Sequence, residues 1–117
     1  MTAVANVLVA FVAFLHLVFL VLEMFLWTKP FGRKTFGLTK ELAEASAPLA
    51  MNQGLYNGFL AAGLVWALAA NSFDAKVFFL VCVIVAGVFG AFTAKRTILF
   101  VQALPGALAL AAVIGAR

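Results

Sequence analysis

Charge is what this sequence has least of. Eight basic and four acidic side chains make up 10% of its 117 residues, where a soluble domain carries about a quarter. A soluble chain this short leaves roughly 40% of its unfolded-state surface in water after folding. So few charges cannot cover that surface, which excludes a soluble enzyme, a nucleic-acid binder and a disordered chain. The single cysteine, Cys82, excludes an internal disulfide and any cysteine-built metal site. The single histidine, His16, excludes bis-histidine haem ligation within one chain. No metal or cofactor is therefore expected. What the chain has instead is 67% hydrophobic residues and a mean hydropathy of +1.18. Its solvent reads as a lipid bilayer.

The apolar residues fall into four runs, at about 3–27, 49–70, 76–94 and 98–116, each long enough for a bilayer core of ~30 Å. The expected fold is all-α: one integral membrane domain over 1–117, built as a four-helix transmembrane bundle. The first run lacks a basic leader and a small-residue cleavage site, so it does not read as a secretory signal peptide. In the first connection, Lys29-Pro30-Phe31-Gly32 reads as a helix stop with turn residues. Thr39 then caps a short helix with Glu41 in its first turn. Leu38, Leu42, Ala45 and Leu49 give that helix an apolar stripe suited to the membrane surface, though an ordinary solvated loop fits too. Asn71-Ser72-Phe73-Asp74 is a tight turn, and Lys95-Arg96-Thr97 joins its helices so briefly that they must be antiparallel neighbours.

Basic residues set the orientation. Lys29, Arg33, Lys34 and Lys40 lie in the first connection and Lys95 and Arg96 in the third, against Lys76 and Arg117 on the other side. The excess places those two connections in the cytoplasm and both termini outside, with a bacterial inner membrane as the default setting.

Polar side chains inside a span are expensive and mark functional sites. Glu23 sits about one turn from the cytoplasmic end of the first helix, and Asn52, Gln53, Tyr56 and Asn57 open the second. Thr93 closes the third and Gln102 lies just over one turn into the fourth. All fall in the same leaflet. Glu23 is the candidate acid or base, because a carboxylate in hydrocarbon must pair, neutralise or face water. The bland reading has it accept hydrogen bonds from Asn52 or Gln102, or reach Lys95 or Arg96, and merely lock the helices. His16, one heptad earlier and ~10 Å deeper, is the candidate assistant, with Asn57 as a plausible partner. Asn52, Gln53, Tyr56 and Asn57 cover an arc of ~140° and read as a ligand-binding face together with Thr93, Arg96 and Gln102.

Small residues predict the packing. Gly54 and Gly58 form a G-x-x-x-G opposite the polar face, and Ala86-Gly90-Ala94 and Ala107-Ala111-Gly115 form stripes that pack within the chain or between copies. These faces suggest a homo-oligomer, a dimer or trimer. Pro105-Gly106 is expected to kink the last helix near Gln102. Trp27 and Trp66 read as interfacial anchors.

Helix one with His16, Glu23 and Trp27, the stretch Asn52-Gln53-Gly54-Leu55-Tyr56-Asn57-Gly58-Phe59-Leu60-Ala61, Gly87 to Thr93, and Gln102-Ala103-Leu104-Pro105 together resemble a bacterial family, domain of unknown function 1304. The resemblance covers essentially the whole chain and implies a small integral membrane protein, with no activity to carry over. A looser likeness is to the membrane-associated eicosanoid and glutathione metabolism proteins. Those are four-helix trimers with cytoplasmic-leaflet clefts between protomers. The arginines their second helix uses for glutathione are absent here, where Gln53, Tyr56 and Asn57 stand.

Three functions stay open. The first is a membrane protein that binds or acts on an amphipathic, lipid-like molecule, with membrane lipids as its partners. The second is a small oligomeric transporter. The third is an accessory subunit of a membrane complex.

Overall fold

A computed structural model describes residues 2–117. Every regular element among them is helical: α1 (Thr2–Met24), α2 (Pro30–Phe36), α3 (Lys40–Ala69), α4 (Phe73–Thr93), a π-helical turn (Leu99–Ala103) and α5 (Leu104–Gly115). α1 and α4 are long and apolar enough to cross a bilayer, with mean hydropathies of 2.6 and 2.4. α3 is longer, but Asn52, Gln53 and Asn57 dilute its apolar half, and Leu99–Gly115 is a shorter apolar helix.

The first connection differs from the sequence expectation in two ways. Pro30 begins a helix instead of ending one, since a proline at the first helical position loses only an N–H that would be unpaired anyway. Gly37, at φ 65°, then closes α2 in the left-handed conformation that glycine tolerates best. Thr39 does cap the next helix, its Oγ1 accepting from Leu42 N at 3.1 Å. That helix is not a short separate piece, however. It runs unbroken through Pro48 to Ala69, because a proline removes one backbone bond without forcing a stop. The Leu42, Ala45 and Leu49 edge is exposed, and Ala43 and Ala50 are the buried positions.

The chain divides into two compact units. One comprises Met1–Leu15 with Leu60–Arg117. Its core interleaves Val9 and Val12 of α1, Leu64 of α3, Leu80 and Val83 of α4, and Ala109 and Val113 of α5. α4 and the π-turn with α5 meet at three levels, Gly90 with Ile98, Gly87 with Ala103 and Gly106 with Val83, so they run antiparallel as their short connection requires. The contact uses Gly87, Gly90 and Gly106. Ala86, Ala94, Ala107, Ala111 and Gly115 are exposed on neighbouring faces. Before Pro105 the helix widens: Leu104 N bonds to Leu99 O, five residues back, because Pro105 has no N–H to hold the ordinary register. Asn71, at φ 48°, ends α3, and Ser72 caps α4 by accepting from Ala75 N at 3.1 Å. The turn is thus shorter than expected, with Phe73 and Asp74 already helical.

The second unit is His16–Phe59. Gly32 is packed so tightly that a Cβ there would lie 1.8 Å from the Leu26 carbonyl oxygen. Trp27 packs on Phe36 with ring centroids 4.8 Å apart and donates its indole N–H to Ser46 Oγ at 3.0 Å. Those contacts tie the chain after α1 to the start of α3.

Candidate functional site: the Glu23–Asn57 pair and the amide face of α3

Within the second unit, glycine decides how closely two helices approach. A Cβ at Gly54 would sit 2.5 Å from Met24 Cγ and 3.2 Å from Glu23 Cβ, and one at Gly58 would sit 2.8 Å from Leu20 Cδ1. The missing side chains let α3 lie against α1 at Leu20, Glu23 and Met24. Asn57 shares that inner face, three residues on from Gly54, and is 5% exposed. Its Nδ2 donates to Glu23 Oε1.

The pairing gives Glu23 a partner that the sequence did not offer it: it accepts from Asn57, where the sequence named Asn52, Gln102, Lys95 and Arg96. The reason is the inner face itself: the glycines turn Asn57 inward together with themselves. His16 is completely buried, one heptad before Glu23, and its ring meets Phe19 edge-on at 5.2 Å between centroids.

Asn52, Gln53 and Tyr56 are exposed, Asn52 and Tyr56 on the far side of α3 from the Glu23 contact and Gln53 on its flank. They form an outward face of two amides and a phenol, not the wall of an internal cavity. Tyr56 is bracketed by Phe59, ring centroids 6.0 Å apart. The remaining sequence candidates belong to the other unit. Thr93 donates its hydroxyl to Phe89 O at 2.8 Å, which closes its helix end in the usual back-bonding manner of threonine. Arg96 is exposed in the α4–α5 connection, and Gln102 is half-buried inside the π-helical turn.

One polar cluster escaped the sequence reading. Lys76, taken there only as a weak orientation charge, is 6% exposed. Its ammonium donates to Asn6 Oδ1 at 3.0 Å and Asn71 Oδ1 at 3.1 Å. The signal was present in the sequence as an asparagine near the start of an apolar run. It gained meaning only once α1 and α4 were neighbours in the core.

Two comparisons with known proteins bear on this arrangement. The model of the family described as "Protein of unknown function (DUF1304)" matches residues 10–114. An uncharacterised protein, YpaA, from Lactococcus lactis subsp. lactis (strain IL1403) is 30% identical over 118 residues, covering 97% of each chain. No solved structure matches.

Proposed function

The chain belongs to the DUF1304 family of proteins of unknown function, and from that premise we propose that it is a small integral membrane protein that binds the polar end of an amphipathic, lipid-like molecule. The membrane part rests on one observation above all. α1 and α4 turn large apolar side chains outward along their whole length: Val7, Phe11, Phe14, Phe78, Val85, Phe89 and Phe92 are all exposed, Phe92 at 87%. Apolar surface on that scale is not left in water, and hydrocarbon solvates it without cost.

α3 and Leu99–Gly115 complete the crossing as the second and fourth spans. The basic connections, 29–40 and 95–96, face the cytoplasm, and a bacterial inner membrane is the setting. The binding part rests on Asn52, Gln53 and Tyr56. Two amides and a phenol turned outward from an apolar helix need polar partners, since lipid tails offer none. A headgroup at the bilayer edge supplies them. Glu23 with Asn57 holds this face of α3 in position. Binding is favoured over catalysis because Glu23 Oε1 is already engaged by an amide and His16 is buried within the packing.

The test is lipid retention. Protein purified from its own membrane would be compared with an Asn52→Ala, Gln53→Ala, Tyr56→Phe variant by native mass spectrometry. Losing three hydrogen bonds of about 1 kcal/mol each should cut retained lipid by about tenfold or more. Equal retention contradicts the binding reading.

A second reading, a subunit of a larger assembly, draws on Ala107, Ala111 and Gly115, which lie exposed along α5 and would let another helix approach closely. Crosslinking in membranes from residue 111 separates it: a discrete dimer or trimer favours it.

A further inference from the structure

The first unit holds a cavity of about 220 Å³, lined by Lys76, Asn6 and Asn71 and by Arg117, Phe73 and Val113 among others. We propose that it is an anion site, taking a phosphate or carboxylate group between Lys76 and Arg117. Four observations lead there.

Lys76 is a nearly fully buried cation whose two hydrogen-bond partners are both neutral amide oxygens. Neutral dipoles stabilise a buried ammonium less than a counter-charge does, and a buried charge without one is costly. An ammonium has three N–H groups, so two contacts leave one for a ligand.

Its location sharpens the demand. Lys76 lies in the first turn of α4, just after the Ser72 cap. There the free backbone N–H groups already make the local potential positive, which disfavours a cation and favours an anion. Asp74 is in the same turn, but it is exposed, and residues two apart do not face each other on a helix. No Asp or Glu is among the described lining residues.

A second cation stands at the same cavity. The Arg117 guanidinium lies 4.2 Å from the centroid of the Phe73 ring, a contact that holds it by cation–π attraction while leaving its N–H edge for a partner. Asn6 and Asn71 each give their oxygen to Lys76, so their amino groups remain donors. The side chains that can hydrogen-bond a ligand here are thus dominated by donors, two of them charged.

Size and wall chemistry narrow the ligand. The volume falls below the ~300 Å³ at which pockets for drug-sized molecules begin, so it suits a small anion or the head of a larger molecule. Phe73, Val113 and Ala116 give it an apolar side, which admits either inorganic phosphate or an anionic lipid headgroup.

The experiment titrates the purified wild-type chain with inorganic phosphate, following its melting temperature and Asn6 and Asn71 side-chain NMR signals. In parallel the chain is melted in bilayer discs of phosphatidylcholine alone and with phosphatidylglycerol. A saturable response to phosphate assigns a free anion, and a response confined to phosphatidylglycerol assigns a headgroup. Both support the site. Arg117→Gln, a change at an exposed residue, should weaken the response about tenfold, as loss of a charge-assisted hydrogen bond does, and Lys76→Met should abolish it. A flat wild-type response in both arms overturns the proposal whether or not Lys76→Met folds. So does an undiminished response in Arg117→Gln together with Asn6→Ala.

Discussion

Asn57 of α3 donates its side-chain amide to Oε1 of Glu23 on α1, a bond across 34 residues of chain that exists because Gly54 and Gly58 let the two helices close. Removing the donor strands the carboxylate. Asn57→Ala should therefore destabilise the protein by about 1–3 kcal/mol, the penalty of an unsatisfied buried polar group. Glu23→Gln should cost less, since its amide oxygen can still accept from Asn57. Thermal melts of both variants in mild detergent check the order. If Glu23→Gln melts lower than Asn57→Ala, the hydrogen bond is not what holds this pair.

The glycines separate by what an added methyl would meet. At Gly87 a Cβ would lie 2.6 Å from Ala103 N and 2.9 Å from Ala103 Cα, and backbone cannot step aside. Gly87→Ala should cost about 1–3 kcal/mol by overpacking. At Gly58 the obstacle is the tip of Leu20, 2.8 Å away, which can rotate. Gly58→Ala should be within about 1 kcal/mol of neutral, because the gain in helix propensity offsets the crowding. Parallel melting curves decide it, and equal losses would contradict the assigned contacts.

Trp27 donates its indole N–H to Ser46 Oγ at 3.0 Å. In a Trp66→Phe background, where Trp27 is the sole indole, Ser46→Ala should change the Trp27 emission maximum and lower stability by about 1 kcal/mol. An unchanged spectrum would mean that the first connection is not tied to α3 this way.

The basic connections give an orientation to check. A cysteine placed at exposed Arg96, with Cys82 replaced by Ala, should resist an impermeant maleimide in intact spheroplasts and react once the membrane is opened. One placed at Thr2 should react in both. The reverse pattern contradicts the positive-inside assignment.

Long apolar helices are visible from hydropathy alone, and so α1 and α4 emerge near their expected bounds. What hydropathy does not carry is which way a helix faces. Asn52, Gln53, Tyr56 and Asn57 read as one polar face, yet only Asn57 turns inward, because the Gly54–Gly58 contact sets the rotation of α3. Pro30 reads in the sequence as part of a helix stop. Its real position, the first turn of α2, depends on tertiary support that no local pattern encodes. Lys76 was hidden for the opposite reason. In sequence it is a loop-end charge, and its burial with Asn6 and Asn71 appears only when the start of α1 meets the start of α4.

The central claim is that the exposed apolar faces of α1 and α4 are solvated by lipid. Spin labels at Phe14 and Val85, both exposed mid-helix positions at 60% and 61%, measure this directly in reconstituted bilayers. The account predicts that dissolved oxygen relaxes both labels strongly and that a water-soluble nickel chelate does so hardly at all. Strong relaxation by the chelate at both positions would contradict it.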